Sequence, residues 1–286
     1  MASRVWCWTP NPVLEIKFTR GQRAISAGGK GHNVVRQLRA WRVPTVSVVS
    51  GAGLEWTEAA RRDRVPIREI PVHSPARTGW AWVEGPGHRL DFFTEDARWK
   101  KSKWIRCGRF LRRIVRRGDW LVVAGSVPKG APSGWWCTLF MGLKQQGARV
   151  VADGQGQLLR EALEAGVDWA KGNYQEMKET VKGRGVDGCF EKMRTVSRGR
   201  SCLLMTRGAR GLVIQVGKKR LAVPAPRVRL RDATGSGDVV TAALIYGIRK
   251  GWEIAKTAGF AVWAGSENAA RRNEVVARLK GRGGFA

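Results

Sequence analysis

Arg231-Asp232-Ala233-Thr234-Gly235-Ser236-Gly237-Asp238 runs without a break into the apolar segment VVTAALIYG, Val239 to Gly247. Small residues let a backbone approach a ligand closely, and the first turn of a helix leaves N–H groups free to bind an anion. The aspartate is the informative residue. A carboxylate beside a bound polyphosphate repels it, so its presence suggests a base for a hydroxyl nucleophile or a group coordinating a cation. A capping turn in which Asp238 only favours the helix dipole reads the same residues equally well.

Four further loops carry comparable signals. Gly28-Gly29-Lys30-Gly31-His32-Asn33 offers glycines, a cation, an amide and a helix start within six residues, a cradle for a hydroxylated or phosphorylated ligand or simply a tight turn. It is not a Walker A loop, because the full GxxxxGK[ST] pattern is absent. His32 has no cysteine or second histidine at ligand spacing, so it reads as a helix or loop residue. In Lys171-Gly172-Asn173-Tyr174-Gln175-Glu176, a helix starting near residue 173 puts Asn173 and Glu176 on its first turn. There Glu176 could hold a water of a magnesium shell and Asn173 could meet a phosphate oxygen, while the same pair also spells a capping box. Gly125-Ser126-Val127-Pro128-Lys129-Gly130 follows a strand, and Thr206-Arg207-Gly208-Ala209-Arg210-Gly211 joins two strands.

Between these loops the hydropathy pattern predicts strands at Ser3–Trp8, Val13–Thr19, Thr45–Gly53, Trp120–Ala124, Arg149–Ala152, Trp169–Lys171, Cys202–Thr206 and Leu212–Gln215. Helical stretches are predicted at Asn33–Trp41, Pro132–Gln146, Gln157–Ala165, Tyr174–Lys182, Val186–Ser197, Gly237–Tyr246, Trp252–Trp263 and Arg271–Leu279. Strands alternating with crossover helices argue an α/β fold with a mostly parallel sheet covered on both faces, whose strand ends gather at one edge where ligands sit. Thr78–Val83 and His88–Thr94 flank a turn at Glu84–Gly87 and read as a hairpin, which with Val13–Thr19 would form a small separate sheet.

The chain has 286 residues, 43% of them hydrophobic, which excludes wholesale disorder. Lysine and arginine total 52 against 23 acids, a net charge of +29 that concerns partners more than fold. The basic run Arg98 to Gly118 has helical apolar spacing at Trp104, Ile105, Phe110, Leu111, Ile114 and Val115 and reads foremost as a solvated helix packed by that face. No nucleic-acid motif accompanies it, which argues against a nucleic-acid partner. The 14 tryptophans stand mostly beside apolar neighbours, so core packing explains them better than base stacking. Five cysteines without a CxxC pair fit a reducing compartment, and no apolar run reaches signal-peptide or membrane-spanning length, so a cytoplasmic, non-membrane protein is expected.

Taken together, the sequence resembles the PfkB (ribokinase-like) family of sugar kinases, in the branch of 1-phosphofructokinase and tagatose-6-phosphate kinase. The matching pieces are Asn11-Pro12-Val13-Leu14-Glu15, Gly28 to Asn33, Ala76-Arg77-Thr78, Gly125 to Gly130, Asp153-Gly154-Gln155-Gly156, Lys171 to Glu176, Thr206 to Gly211 and Thr234 to Asp238, in the family's order. The resemblance implies a single ribokinase-like α/β domain over residues 1–286, with a small β lid built from about 13–20 and 75–94. It implies transfer of the ATP γ-phosphoryl group to a sugar hydroxyl with Mg²⁺, Asp238 serving as base and the N–H groups of Gly235, Ser236 and Gly237 as an anion hole.

By the same matching, Glu15, Gly28, Gly29, Lys30, Asn33 and Ser126 would hold a sugar phosphate, with Arg77 clamping its phosphate from the lid. Asn173 and Glu176 match the magnesium and phosphate motif, and Thr206, Gly208, Gly211, Gly265 and Asn268 match the nucleotide side. Fructose 1-phosphate is the favoured acceptor; tagatose 6-phosphate, fructose 6-phosphate, another sugar or a nucleoside are the alternatives, and a non-catalytic basic anion- or nucleic-acid-binding protein on the same fold is the rival class. A lid-to-lid homodimer is the family's implied assembly. Glu15 stands where the branch usually has aspartate, Lys129 and Gly172 replace usual prolines, and Gly154-Gln155 replaces a threonine-serine pair. These departures bear on the substrate rather than on the chemistry.

Overall fold

A computed structural model describes residues 3–19, 22–85 and 88–271. From the N-terminus come β1 (Val5–Thr9), β2 (Val13–Thr19), β3 (Gln22–Gly28), α1 (Lys30–Ala40), β4 (Thr45–Ser50), α2 (Gly53–Arg61) and β5 (Ile67–Ile70). Next are β6 (Arg77–Gly85), β7 (His88–Phe93), α3 (Lys101–Ile114), β8 (Trp120–Ala124), α4 (Trp135–Gln145), β9 (Arg149–Asp153), α5 (Gly156–Ala165) and β10 (Trp169–Asn173). The chain continues through α6 (Tyr174–Val181), α7 (Gly185–Val196), β11 (Cys202–Thr206), a 3₁₀ turn (Gly208–Arg210), β12 (Leu212–Val216), β13 (Lys219–Val223), α8 (Ser236–Arg249) and α9 (Ile254–Ala269).

The larger sheet has the order β13-β12-β11-β10-β9-β8-β1-β4-β5. Neighbours from β11 to β5 are parallel, and β12 and β13 turn back antiparallel at one edge. Side chains alternate across it as a pleated strand requires. Trp6, Trp8, Leu121 and Val123 pack with α3 to α7 on one face, whereas Val5, Cys7, Trp120 and Val122 pack with α1, α8 and α9 on the other. Covering both faces is why these strands read as continuous apolar runs rather than as alternation. Trp8, Trp104, Trp135 and Trp136 form one connected cluster with ring centroids 4.8–6.2 Å apart, so tryptophan here is core material.

The smaller sheet is ordered β3-β2-β6-β7. β3 was not expected, because QRAISAG is largely exposed and polar at its start; it exists because each residue from Gln22 to Gly28 pairs with β2. The short, half-exposed β5 and β13 went unread for the same reason. The strand expected over Thr45–Gly53 stops at Ser50, since Gly53 at φ +77° opens α2. The basic run forms α3 as expected, with Trp104, Cys107 and Leu111 buried. The helix expected over 271–279 lies beyond Arg271 outside the described residues, as does the tip of the β6–β7 turn. No helix among the described residues is long and apolar enough to cross a membrane.

Candidate active site

A cavity of about 440 Å³ opens at the C-terminal ends of the parallel strands. The chain runs from β1 outward to β4 and β5, then returns to build β8 to β11 on the other side of β1. The strand order therefore reverses between β1 and β8, the place where open α/β sheets bind ligands. Thr9, Gly125, Ser126, Asn173 and Thr206 reach the cavity from strand ends. The small sheet adds Glu15, Arg77 and Phe93, and the approach to α8 adds Thr234, Gly235, Gly237 and Asp238.

Asp238 lies in the first turn of α8, only 5% exposed, and accepts a hydrogen bond from Asn33 Nδ2 at 2.9 Å. Burial pushes its carboxyl up to about 6, with the negative charge of Asp153 adding to the shift and Lys30, Asn33 and Lys171 opposing it. Gly235 caps the helix at φ +74°, a conformation suited to glycine. The turn also spends some of its own donors. Ser236 N–H donates to Ala233 O at 3.1 Å, and Asp238 N–H donates to Gly235 O at 2.9 Å.

α1 brings Lys30 and Asn33 to the same place. Gly31 has no room for a side chain, since a Cβ would stand 2.6 Å from Thr9 Oγ1 and 2.7 Å from Trp8 O, so α1 crosses directly over the end of β1. Lys30 Nζ pairs with Glu176 Oε1 at 2.9 Å. Burial favours the neutral amine, but Asp153, Glu176 and Asp238 outweigh it and hold the ammonium above its ordinary value. Asn173 and Glu176 make a complete capping box: Glu176 N–H donates to Asn173 Oδ1 at 2.9 Å and Asn173 N–H to Glu176 Oε2 at 2.8 Å. That box leaves Glu176 rigid at the cavity wall beside Lys30.

Arg77 enters from the start of β6. Its Nη1 meets Asp96 at 2.8 Å, its Nη2 donates to Ser126 Oγ at 3.0 Å, and its buried Nε has no partner. Asn11 joins the cluster through Asp96 at 2.7 Å and Ser126 at 3.3 Å. The guanidinium fork expected to clamp a phosphate is thus partly engaged by a carboxylate already.

Of the residues singled out from the sequence, Asp238, Gly235, Gly237, Glu15, Gly29, Lys30, Asn33, Arg77, Ser126, Asn173, Glu176 and Thr206 line the cavity. Gly28, Ser236, Gly208, Gly211, Gly265 and Asn268 lie outside its lining. Gly28 sits behind Glu15, with its carbonyl held by Trp56 Nε1 at 3.0 Å. Gly208 and Gly211 shape the 3₁₀ turn after β11, where a Cβ on Gly211 would collide with Val223 O. Asn268 Nδ2 holds Thr234 O at 2.8 Å and Ser236 Oγ at 3.1 Å, and Gly265 faces Val240 and Ser236 O, so both act on the loop before α8.

Four important residues carried no assigned role from sequence. Lys171, in the cavity lining, pairs through Nζ with the buried Asp153 Oδ2 at 2.8 Å, and Thr241 Oγ1 donates to the same oxygen at 2.6 Å. Burial opposes ionisation of Asp153, but Lys171 and Lys30 hold its carboxyl below the usual range. A charge closing each of two apolar strands was the available signal. Asp96 had none, because only through space does it meet Arg77.

Fold and site together define a two-sheet α/β protein with an acid, an amide and paired cations converging at a strand switch point. The profile of the pfkB family carbohydrate kinases matches residues 14–276, and the chain belongs to that family. It is 30% identical over 157 residues to 1-phosphofructokinase of Rhodobacter capsulatus, covering 53% of this chain and 49% of that protein. The matched stretch thus spans about half the length of that relative. It is 22% identical over 260 residues to tagatose-6-phosphate kinase of Staphylococcus epidermidis, covering 84% of each. Among solved structures, phosphofructokinase-2 from Escherichia coli in complex with potassium superposes with a TM-score of 0.85 at 20% identity, covering 95% of this chain and 94% of that one.

Proposed function

We propose that the chain is an ATP-dependent phosphosugar kinase whose favoured acceptor is fructose 1-phosphate, yielding fructose 1,6-bisphosphate. One observation carries this reading: a buried carboxylate, Asp238, opens a helix at the strand switch point, within one cavity that also holds Lys30, Asn33 and Arg77. An ionised Asp238 accepts the proton of the acceptor hydroxyl as that oxygen attacks the γ-phosphorus and the bond to the ADP oxygen breaks. Asn33 orients the carboxylate, and Lys30 supplies fixed positive charge where the transferring group becomes most anionic. Gly235 and Gly237 at the start of α8 offer backbone to the same group.

The unpartnered buried Nε of Arg77, Oδ1 of Asn33 and Oγ1 of Thr9 suit a ligand bearing both phosphate and hydroxyls. Magnesium fits the residues present in one manner. No group of three or more metal-ligating side chains occurs among the described residues, and Glu176, one of the acids lining the cavity, would hold an ion through water beside Asn173. Bound with the nucleotide, the ion would neutralise part of the charge on its phosphates. The small sheet would close as a lid that keeps water from the γ-phosphate.

The assembly we propose is a dimer through the small sheets. Strand register puts Ile16, Trp80 and Phe92 in one row and Phe18, Trp82 and Leu90 in the next, on the face turned away from Glu15 and Lys17. Leu90 is 63% and Phe92 57% exposed, an apolar surface that a second copy of the sheet matches in kind.

The test is ADP release with ATP and Mg²⁺ against fructose 1-phosphate, fructose 6-phosphate, tagatose 6-phosphate, fructose, ribose and adenosine, run beside Asp238→Asn. Turnover on fructose 1-phosphate that is lost in the variant is the expected result. Turnover confined to another acceptor overturns the substrate, and a folded protein that neither turns over nor binds ATP overturns the class.

A further inference from the structure

The loop carrying Asp238 is tied down at three places. Arg231 N–H and Asp232 N–H both donate to Ala269 O, at 2.9 and 3.2 Å, at the end of α9. Asn268, also on α9, grips Thr234 O and Ser236 Oγ. The third tie has a different origin. Lys17 Nζ on β2 of the small sheet pairs with Asp232 Oδ2 at 2.6 Å, across 215 positions of sequence, while Asp232 Oδ1 accepts Thr234 N–H at 3.0 Å.

Neither partner is a mobile surface charge. The side chains are 17% and 8% exposed, and although burial favours the neutral acid, the bonds from Lys17 and Thr234 keep the Asp232 carboxyl below its ordinary range. Lys17 follows Glu15 by two residues on the same strand, so both project from the same face, roughly 7 Å apart along it. Glu15 lines the cavity, and Lys17 reaches the loop. One strand therefore touches the substrate space with one side chain and the loop leading to Asp238 with another.

Resting on the kinase reading above, we infer that Lys17 and Asp232 form a positioning pair that makes the seating of the Asp232–Asp238 loop conditional on the small sheet being closed. An acceptor that draws β2 down through Glu15 brings Lys17 onto Asp232, and Asp232 sets the turn at Thr234 through its own hydrogen bond. With no acceptor bound the sheet is free to lift, the tie is lost, and the loop relaxes before water can use an assembled site. The pair acts only on the seating of the loop and has no part in bond making.

The experiment uses the full chain as wild type, Lys17→Met, which keeps the apolar stem and removes the charge, and Lys17→Arg, which restores it. Asp232→Asn, which keeps an acceptor for Thr234 N–H, serves if Lys17→Met fails to fold. Three quantities are read: acceptor KM against kcat, ATP hydrolysis without acceptor, and amide hydrogen exchange over residues 13–19 and 231–237. In Lys17→Met, KM for the acceptor is expected to rise roughly tenfold, as for loss of a partly buried ion pair, with kcat at saturation held. Acceptor-free hydrolysis falls, because the untied loop is seated less often, both segments exchange faster, and Lys17→Arg recovers most of each change. A fall in kcat with KM and hydrolysis unmoved makes Lys17 a prop for the loop alone and overturns the inference, as does no change at all. If the wild type phosphorylates no acceptor, the kinase reading fails by itself and the exchange arm decides: unchanged exchange in both segments removes the tie.

Discussion

Asp238 is held at a cost that the rest of the site accepts. Its carboxyl is raised from 3.8 to about 6 by burial. Between those values the native state binds the proton and the unfolded chain does not, so this group makes stability fall as pH rises through the window. By pH 8 the ionised form costs the fold about 3 kcal/mol. Asp238→Asn is therefore expected to melt above the wild type at pH 8 in scanning calorimetry, with the difference closing by pH 4, while turnover drops roughly 10²- to 10⁴-fold. On the proposed mechanism, turnover in the wild type should climb with pH through about 6 as Asp238 ionises. Asp153 has the opposite sign: its carboxyl is lowered, so its stabilising contribution is present above the unfolded value and lost as pH falls through the native one. Lys171→Met would leave that carboxylate buried with Thr241 as its remaining described partner, and urea unfolding should show a loss of about 3–5 kcal/mol, partly recovered by adding Asp153→Asn. Asp238, Lys30 and Asn33 were legible because each sits in a glycine-marked loop opening a helix. The Asp153–Lys171 pair was not, since its members stand on two separate strands and meet only through the sheet's register.

At the level of the element, the start of α6 serves two purposes with one set of atoms. The Asn173–Glu176 box stabilises the helix and fixes a carboxylate beside Lys30. Asn173→Ala should cost about 1 kcal/mol in chemical denaturation, as caps do, and also raise KM for Mg·ATP by freeing Glu176, whereas a plain cap would lower stability alone. Helices and central strands were legible because their periods are local and strong. Edge elements such as β3 and β13 take their structure from a neighbour's hydrogen bonds, a cause that no window of their own sequence contains.

For the molecule as a whole, the consequential feature is two sheets meeting over one cavity. The small sheet's inner face carries Glu15, Lys17 and Phe93, and its outer face carries the exposed rows around Phe92. If those rows join two copies, Phe92→Glu should shift the mass in light scattering from about twice that of the chain to that of one chain. An unshifted dimer would place its interface elsewhere. The +29 charge is carried by a surface that includes the exposed arginines of α3, and the cavity uses little of it.

Sequence alone determined the α/β class, the central parallel strands and the loops holding Asp238, Lys30, Asn33 and Glu176, because period, turn chemistry and helix starts are written in adjacent residues. Tertiary structure alone decided that Asp153 faces Lys171, that Arg77 rests on Asp96, that Lys17 holds Asp232 and that Asp238 titrates near 6. Those outcomes depend on sheet order, strand register and burial, which bring together groups as far as 215 positions apart and remove water from around them.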